Sequence, residues 1–309
     1  MKRPDSPSLR ETLRGVRDEL EAAGIESPGA ESERLLAHVL GIDRSRLALE
    51  ASAPLPAGAA RDLGRLVARR AAGQPLQHLE GTVAFRDLVL RADGRALIPR
   101  PETEQLVELV ARQLHARSAG SQVRAVSRPG SSVTAAGIAL DVGTGSGAIA
   151  LSLVAEGLAR RVLALDVSEA ALAQARENRD LAGLGPEAVE LRLSGPDPFE
   201  ALASEERFDL LVSNPPYVRD ADIDGLPVEV RDHEPRAALA GGPDGLDLVR
   251  KIAVRGPEVL RRGGRLFLEI GADQGAEVTA LFEAVGGWEK VVCHADLSGR
   301  DRFLTALRP

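Results

Sequence analysis

The stretch that decides the fold of this chain is Ile138-Ala139-Leu140-Asp141-Val142-Gly143-Thr144-Gly145-Ser146-Gly147-Ala148. Its first five residues are typical of a short buried strand, and an apolar helical stretch from Ile149 to Ala155 follows the glycines. Glycines at a strand-to-helix corner let the backbone approach a ligand closely and present the N–H groups of the helix start. These features predict a ligand-binding corner in an α/β fold.

The spacing of the glycines indicates the class of ligand. Dinucleotide-binding folds carry G-x-G-x-x-G, whereas Gly143, Gly145 and Gly147 form G-x-G-x-G, and the sequence contains no P-loop pattern. The next strand-like run, Val162 to Leu165, ends in Asp166, a carboxylate placed to accept both hydroxyls of a ribose. The pattern therefore favours a nucleoside ligand without phosphates.

A second polar signal is Asn214-Pro215-Pro216-Tyr217, directly after the strand-like run from Phe208 to Ser213. Two prolines end a strand abruptly, so the asparagine is expected at the carboxyl edge of the sheet, where ligands of open α/β folds collect. Its carboxamide and the carbonyls beside the prolines offer adjacent hydrogen-bond acceptors, which suit a planar NH2 group. Proline pairs more often form a simple turn, so this interpretation depends on the glycine corner upstream.

Together, the two signals resemble the class I S-adenosylmethionine-dependent methyltransferases that modify a planar amide or exocyclic amine nitrogen. Further motifs narrow the resemblance to the bacterial release factor glutamine methyltransferases. These motifs are Gly73-Gln74-Pro75-Leu76-Gln77-His78-Leu79-Glu80-Gly81, Leu97-Ile98-Pro99-Arg100-Pro101-Glu102-Thr103-Glu104, His233-Glu234-Pro235-Arg236-Ala237-Ala238-Leu239, Glu269-Ile270-Gly271-Ala272-Asp273-Gln274-Gly275 and Asp296-Leu297-Ser298-Gly299-Arg300-Asp301-Arg302.

The resemblance implies methyl transfer from S-adenosylmethionine to N5 of the glutamine in the Gly-Gly-Gln motif of class I peptide chain release factors. It assigns cofactor binding to Gly143, Thr144, Gly145, Ser146, Gly147, Asp166, Pro198 and Asn214. It assigns substrate binding to Asn214, Pro215, Pro216 and Tyr217, with Asn214 and Tyr217 as the catalytic residues. Many relatives have a larger apolar residue at the position of Pro198, in the loop that flanks the adenine. No metal is expected.

The order of apolar runs, with the resemblance, predicts an α/β fold in three parts. Residues 1–80 are expected to form a helical substrate-docking bundle, 81–97 a β-hairpin linker, and 98–309 a Rossmann-like methyltransferase domain. The resemblance implies a seven-stranded sheet in the order 3-2-1-4-5-7-6, with the seventh strand antiparallel. Residues 118–137 are predicted to be a mobile loop and 227–247 a lid. Three helices are expected in the bundle, and the arginines of the third, near residues 59–72, are predicted to form a solvated face: Arg61, Arg65, Arg69 and Arg70.

The composition is that of an ordinary enzyme, and it helps to choose between the family implied by the resemblance and two other functions. The 309 residues carry a net charge of −7 and one cysteine, Cys293, which excludes an internal disulfide and fits a reducing compartment. An adenine-N6 nucleic-acid methyltransferase, the main alternative, needs a basic surface with aromatic residues, and only 3% of this chain is aromatic. A helical adaptor on an inactive scaffold is the non-enzymatic alternative. We expect a cytoplasmic monomer without direct nucleic-acid binding.

Overall fold

The computed structural model describes residues 6–120 and 136–309, which divide into two compact units. The first unit contains the described residues up to Gly81 and the segment Pro227–His233. The second contains the described residues from Thr82 to Leu226 and from Glu234 to Pro309. Both ends of the predicted loop over 118–137 were wrong, because residues 118–120 continue a helix and residues 136–137 begin a strand; residues 121–135 lie outside the described residues.

The helices and strands of the described residues follow one another along the chain. The helices are α1 (Leu9–Ala22), α2 (Pro28–Leu40), α3 (Arg44–Leu49), α4 (Ala59–Ala71), α5 (Leu76–Glu80), α6 (Pro101–Gly120), α7 (Ala148–Ala155), α8 (Glu169–Leu181), α9 (Val228–Arg231), α10 (Asp247–Val259) and α11 (Gly275–Val285). The strands are β1 (Thr82–Phe85), β2 (Leu88–Arg91), β3 (Ala136–Val142), β4 (Ala159–Asp166), β5 (Val189–Leu193), β6 (Phe208–Ser213), β7 (Leu260–Glu269), β8 (Glu289–Ala295) and β9 (Asp301–Leu307).

The first unit is a helical bundle with its own core. Helix α1 begins at a capping box: Glu11 N donates to Ser8 Oγ at 3.3 Å, and Ser8 N donates to Glu11 Oε2 at 2.9 Å. Leu20, Leu35 and Leu36 are fully buried between the helices. The sequence did not reveal α3 and α5, because helices of six and five residues are too short to show a helical period.

Arg70 is buried in this unit, so its predicted place on a solvated face was wrong. Only 6% of the residue is exposed, and its Nε donates to Glu31 Oε2 at 2.5 Å while Nη1 lies 3.0 Å from Glu229 Oε2. Residue 70 shares a helix face with Leu63 and Val67 at spacings of seven and three, the buried stripe of α4. Two carboxylate partners make burial of this charge tolerable. The other three arginines are exposed as predicted.

The second unit contains the predicted seven-stranded sheet. Its order is β5-β4-β3-β6-β7-β9-β8, and β9, the seventh strand of this sheet along the chain, pairs antiparallel with both neighbours. Alternate residues point to opposite faces, so one face carries a core with helices α6 and α7 and the other a core with α10 and α11. The predicted strand order is confirmed, and the predicted hairpin is present as β1 and β2.

The register of the parallel strands brings three polar positions to one edge of the sheet. Val142 at the end of β3 pairs with Leu165 of β4 on one side and with Ser213 of β6 on the other. The next residues along these strands are Gly143, Asp166 and Asn214. The sheet therefore places the glycine corner, the acidic residue and the asparagine side by side at its carboxyl edge.

Candidate active site

The glycine corner is held against the end of β4 by its own backbone. The N–H groups of Gly143 and Thr144 both donate to the carbonyl oxygen of Leu165, at 2.9 Å each. Gly143, Gly145 and Gly147 have φ angles of 74°, 56° and 86°, in the left-handed region that favours glycine. The corner therefore needs glycine for its backbone conformation.

Asp166 is fixed by two backbone donors. Its Oδ2 accepts from Gly145 N at 2.8 Å, and its Oδ1 accepts from Ser168 N at 2.9 Å. Burial raises the pKa of this carboxyl, while the same two hydrogen bonds act in the opposite direction. Each carboxylate oxygen retains acceptor capacity for a ligand, because an ionised oxygen can take a second hydrogen bond.

A second carboxyl group lies beneath the corner. Asp141 is fully buried in β3, and its Oδ2 accepts from the Thr144 hydroxyl at 2.7 Å. Burial raises its pKa to about 7, and the neighbouring Asp166 carboxyl contributes in the same direction. Asp141 therefore supports the corner from inside the protein.

Asn214 is the third component, and its side chain is held by a residue from a distant part of the sequence. Its Nδ2 donates to Thr103 Oγ1 at 3.1 Å, and the Thr103 hydroxyl donates to Glu269 Oε2 at 2.8 Å. Ser213 fixes the backbone just before it, since its hydroxyl donates to the carbonyl of Val142 at 2.6 Å. Within the described residues the Asn214 side-chain oxygen accepts no hydrogen bond and is left for a ligand.

The loop that follows Asn214 is anchored through Tyr217. Its carbonyl oxygen accepts from Gln274 Nε2 at 3.1 Å, and the guanidinium of Arg302 lies 5.8 Å from the centre of its ring. Burial raises the pKa of the Tyr217 hydroxyl, so the group stays protonated near neutral pH. The next residue, Val218, pairs with both Leu239 and Gly241 through backbone hydrogen bonds.

A cavity of about 260 Å³ opens at these strand ends. The predicted site residues on its wall are Gly143, Thr144, Gly145, Ser146, Asp166, Pro198, Asn214 and Pro216. The predicted residues Gly147, Pro215 and Tyr217 are not among the described residues that line it. Gly147 instead serves helix packing, because a Cβ there would lie 3.2 Å from the Leu151 side chain.

Sequence reasoning did not assign a role to several other residues of the wall. They include Arg95, Pro99, Thr103, Ser194, Pro235, Ala237, Asp247 and Lys251. Five of these, Pro99, Thr103, Pro235, Ala237 and Asp247, lie in motifs that carried the family resemblance or in the predicted lid, although the sequence assigned them no role. Glu234 connects two of the motifs, since it accepts from Ile98 N at 3.1 Å and from Arg100 Nη2 at 2.6 Å.

The loop of the predicted adenine contact uses its acidic residue internally. Asp197 accepts from Phe199 N at 3.0 Å and from Arg255 Nη1 at 3.0 Å. Phe199 is buried in the core, with the Arg255 guanidinium 5.8 Å from its ring centre. Of the three loop residues only Pro198 lies on the cavity wall.

The described residues offer neither a metal-binding cluster nor a membrane-spanning helix. The described part of the chain contains no group of three histidine, cysteine or acidic side chains arranged to hold a metal ion. None of the helices within residues 6–120 and 136–309 is long and apolar enough to cross a membrane.

The fold and the site define the class of protein. A seven-stranded sheet with one reversed strand, a glycine corner after β3 and a polar Asn-Pro-Pro-Tyr loop after β6 are the features of a class I methyltransferase. In agreement, residues 129–228 match the family model described as the methyltransferase small domain. Residues 11–81 match the model described as the PrmC N-terminal domain.

Full-length relatives identify the family. The chain is 42% identical to a release factor glutamine methyltransferase of Cereibacter sphaeroides, over 97% of this chain and 98% of the relative. Proteins of the same name from Moorella thermoacetica and Deinococcus radiodurans are 40% and 39% identical, again over 97% of this chain and over 99% and 98% of their own lengths. The chain belongs to the release factor glutamine methyltransferase family, and the family predicted from the sequence is confirmed.

Proposed function

We propose that this protein transfers a methyl group from S-adenosylmethionine to N5 of the glutamine in the Gly-Gly-Gln motif of class I peptide chain release factors. Membership of the family supports both the reaction and the class of substrate. The observation that carries the proposal in this chain is the Asn214 carboxamide on the cavity wall, whose nitrogen is bound to Thr103. Its oxygen is thereby available to accept a hydrogen bond from another carboxamide.

The cavity wall fits a nucleoside cofactor without phosphates. Asp166 presents a carboxylate, and the hydroxyl of Ser194 beside it is buried without a hydrogen-bond partner among the described residues. The cationic side chains on the described wall already have partners: Arg95 pairs with Glu177, and Lys251 donates to a backbone carbonyl. We propose that Gly143 to Ser146, Asp166 and Pro198 hold the cofactor.

The reaction requires mainly positioning. A glutamine amide nitrogen is a poor nucleophile, because its lone pair is delocalised into the carbonyl group. When bound, S-adenosylmethionine supplies a methyl group activated by a sulfonium. The protein therefore contributes orientation and fixed dipoles more than acid–base chemistry.

We propose that two acceptors hold the substrate amide. Asn214 Oδ1 accepts one of its hydrogens, and the carbonyl of Pro215, which accepts no hydrogen bond within the described residues, takes the other. Two accepted hydrogen bonds fix the plane of the amide and increase electron density on its nitrogen. Packing of Tyr217 against this plane stays a prediction, since the contacts seen for Tyr217 are those of its carbonyl with Gln274 and of its ring with Arg302.

Proton release needs no dedicated base in this scheme. The methylated amide nitrogen is strongly acidic, so its proton passes to water during or after transfer. Glu269, a buried carboxyl on the asparagine side, is linked to Asn214 through the Thr103 hydroxyl. It therefore has no direct path to the reacting nitrogen.

The remaining assignments concern the partner and the setting. We propose that residues 1–80 dock the release factor, that 81–97 form a hairpin linker, and that 98–309 carry out the chemistry. We further propose that the enzyme acts as a monomer in the cytoplasm, where release factors work, and binds no nucleic acid directly.

The test uses the full chain, a purified class I release factor and S-adenosylmethionine with a labelled methyl group. Mass spectrometry is expected to find one added methyl on the glutamine of the Gly-Gly-Gln peptide. A release factor with glutamate at this position is the matched control and should remain unlabelled. Label appearing on DNA and not on the release factor would replace the proposal with the adenine-N6 alternative.

A further inference from the structure

A chain of hydrogen bonds between buried side chains runs from Asn214 on the cavity wall into the protein. It runs from Asn214 Nδ2 to Thr103 Oγ1 at 3.1 Å and from the Thr103 hydroxyl to Glu269 Oε2 at 2.8 Å. Thr103 is 4% exposed and Glu269 is 1% exposed. Thr103 comes from the first turn of α6 and Glu269 from the last residue of β7, so the chain joins three separate elements.

The direction of each of these hydrogen bonds follows from which of the three side chains carry a proton to donate. An ionised carboxylate only accepts hydrogen bonds, so Thr103 must donate its single hydroxyl proton to Glu269. The Thr103 oxygen is then left as an acceptor, and only the NH2 end of Asn214 can pair with it. The two ends of a carboxamide have nearly the same shape, so without such a partner the group could bind in either orientation.

We propose that Thr103 and Glu269 are positioning residues that turn the Asn214 carboxamide so that its oxygen, and not its nitrogen, faces the substrate amide. This inference rests on the proposed function, because it explains how one acceptor for the substrate NH2 group is maintained. The reverse orientation would place two NH2 groups against each other and remove the acceptor. Substrate binding in a reactive position then depends on two side chains that do not touch the substrate nitrogen.

The protonation state of Glu269 determines which orientation of the Asn214 carboxamide these hydrogen bonds select. Its Oε1 is buried without a hydrogen-bond partner among the described residues, and burial raises its pKa to about 7. The charges of Arg302 and Arg100 lower the pKa of Glu269, whereas the charge of Glu102 raises it. Glu269 in turn raises the pKa of the nearby Tyr217 hydroxyl. Once protonated, Glu269 can donate to Thr103, and the Thr103 hydroxyl is then free to donate to Asn214 and select the reverse orientation.

The first test removes the hydroxyl of Thr103. Thr103→Val keeps the shape of the side chain, and we expect kcat to fall about 10²-fold, the scale seen when one oriented polar group is removed from a reaction site. The KM values for both substrates should stay within a few-fold. Thr103→Ser retains the hydroxyl and should restore kcat. Thr305→Val is a matched control. Thr305 is also buried (6% exposed), and its hydroxyl pairs with His294, which takes no part in the hydrogen bonds between Asn214, Thr103 and Glu269.

The second test is the pH profile of kcat. In the wild type kcat should rise with pH through about 7, as Glu269 loses its proton. In Glu269→Gln this rise should disappear, because glutamine does not titrate. An unchanged profile in Glu269→Gln, or wild-type kcat in Thr103→Val, would overturn the proposal.

A measurement that does not need methyl transfer separates this inference from the proposed function. Nitrogen-15 NMR can follow hydrogen exchange of the Asn214 side-chain NH2 group in the full-length protein. Its exchange should be slow in the wild type and in Thr103→Ser, and markedly faster in Thr103→Val. Slow exchange with no methylation of the release factor would refute the proposed function alone, whereas equally fast exchange in the wild type and in Thr103→Val would refute the positioning chain alone.

Discussion

The two ends of the candidate site are built in different ways. At the cofactor end, Asp166 accepts from the backbone of Gly145, 21 residues earlier, and from Ser168, two residues later. At the substrate end, Asn214 depends on Thr103, 111 residues earlier, and Thr103 depends on Glu269, 166 residues later. One end is held by nearby backbone, and the other by side chains from distant parts of the chain.

This difference has a consequence for stability. Backbone donors satisfy both oxygens of Asp166, whereas Glu269 retains a buried oxygen without a partner among the described residues. An unsatisfied buried carboxylate destabilises a fold, so the substrate end maintains its geometry at a cost to stability. Substitutions at the substrate end should therefore change methyl transfer and stability, whereas substitutions at the cofactor end should change cofactor affinity.

The largest expected effect is on the substrate end. Asn214→Ala removes an acceptor for the substrate amide, and we expect methyl transfer to fall at least about 10³-fold. Cofactor affinity should stay within a few-fold, because the glycine corner and Asp166 are unchanged. Single-turnover rates and calorimetric titration of S-adenosylmethionine measure the two properties. Turnover at the wild-type rate would defeat the proposed role of this side chain.

The second effect is a gain in stability from Glu269→Gln. Because burial raises the pKa of Glu269 from 4.5 to about 7, the folded protein holds this proton more tightly than the unfolded chain does. The wild type therefore loses stability as pH rises from about 4.5 to about 7, by at most about 3 kcal/mol. Glutamine does not titrate, so the variant should gain relative to the wild type over this range.

Thermal unfolding at two pH values measures this gain. The difference in Tm between Glu269→Gln and the wild type should be more positive at pH 8 than at pH 5, by several degrees. Glu258→Gln is a suitable control because Glu258 is exposed. A difference that is the same at both pH values would show that Glu269 does not carry a displaced pKa.

The arrangement of the glycine corner and Asp166, the proposed cofactor end, could be predicted from the sequence because its geometry is local. The glycines, Asp166 and the strand before each of them are contiguous patterns, and parallel strands bring their ends to one edge of the sheet. The positions of Gly143 and Asn214 at the carboxyl edge of the sheet followed from the same reasoning. The family resemblance supplied the strand order, which periodicity does not determine.

The long-range contacts could not be predicted in the same way. Thr103 and Glu269 belong to two of the motifs that carried the resemblance, but their positions in the sequence do not reveal that the Thr103 hydroxyl donates to Glu269. Arg70 was misassigned for the same reason, since its partners Glu31 and Glu229 lie 39 and 159 positions away in the sequence. A buried charge is recognised by its partners, and those are brought together only by the folded chain.

The third effect is a loss of cofactor affinity at the local end. Asp166→Ala removes a carboxylate that accepts two backbone hydrogen bonds and faces the cavity, and it should weaken S-adenosylmethionine binding by about 1–3 kcal/mol. Asp166→Asn keeps the size of the side chain and should lie between the alanine variant and the wild type. Calorimetry measures both. Unchanged affinity in the alanine variant would remove Asp166 from the site.

The smallest effect should come from Ser168→Ala, which tests whether the local end depends on backbone. The Ser168 side chain caps α8 by accepting from Ala171 N at 3.2 Å, while its backbone N–H donates to Asp166. Alanine removes the cap and keeps the N–H, so the free energy of unfolding should fall by about 1 kcal/mol. Cofactor affinity should fall less than in Asp166→Ala. If binding weakens as much as it does there, the serine hydroxyl itself takes part, and the cofactor end also depends on side chains.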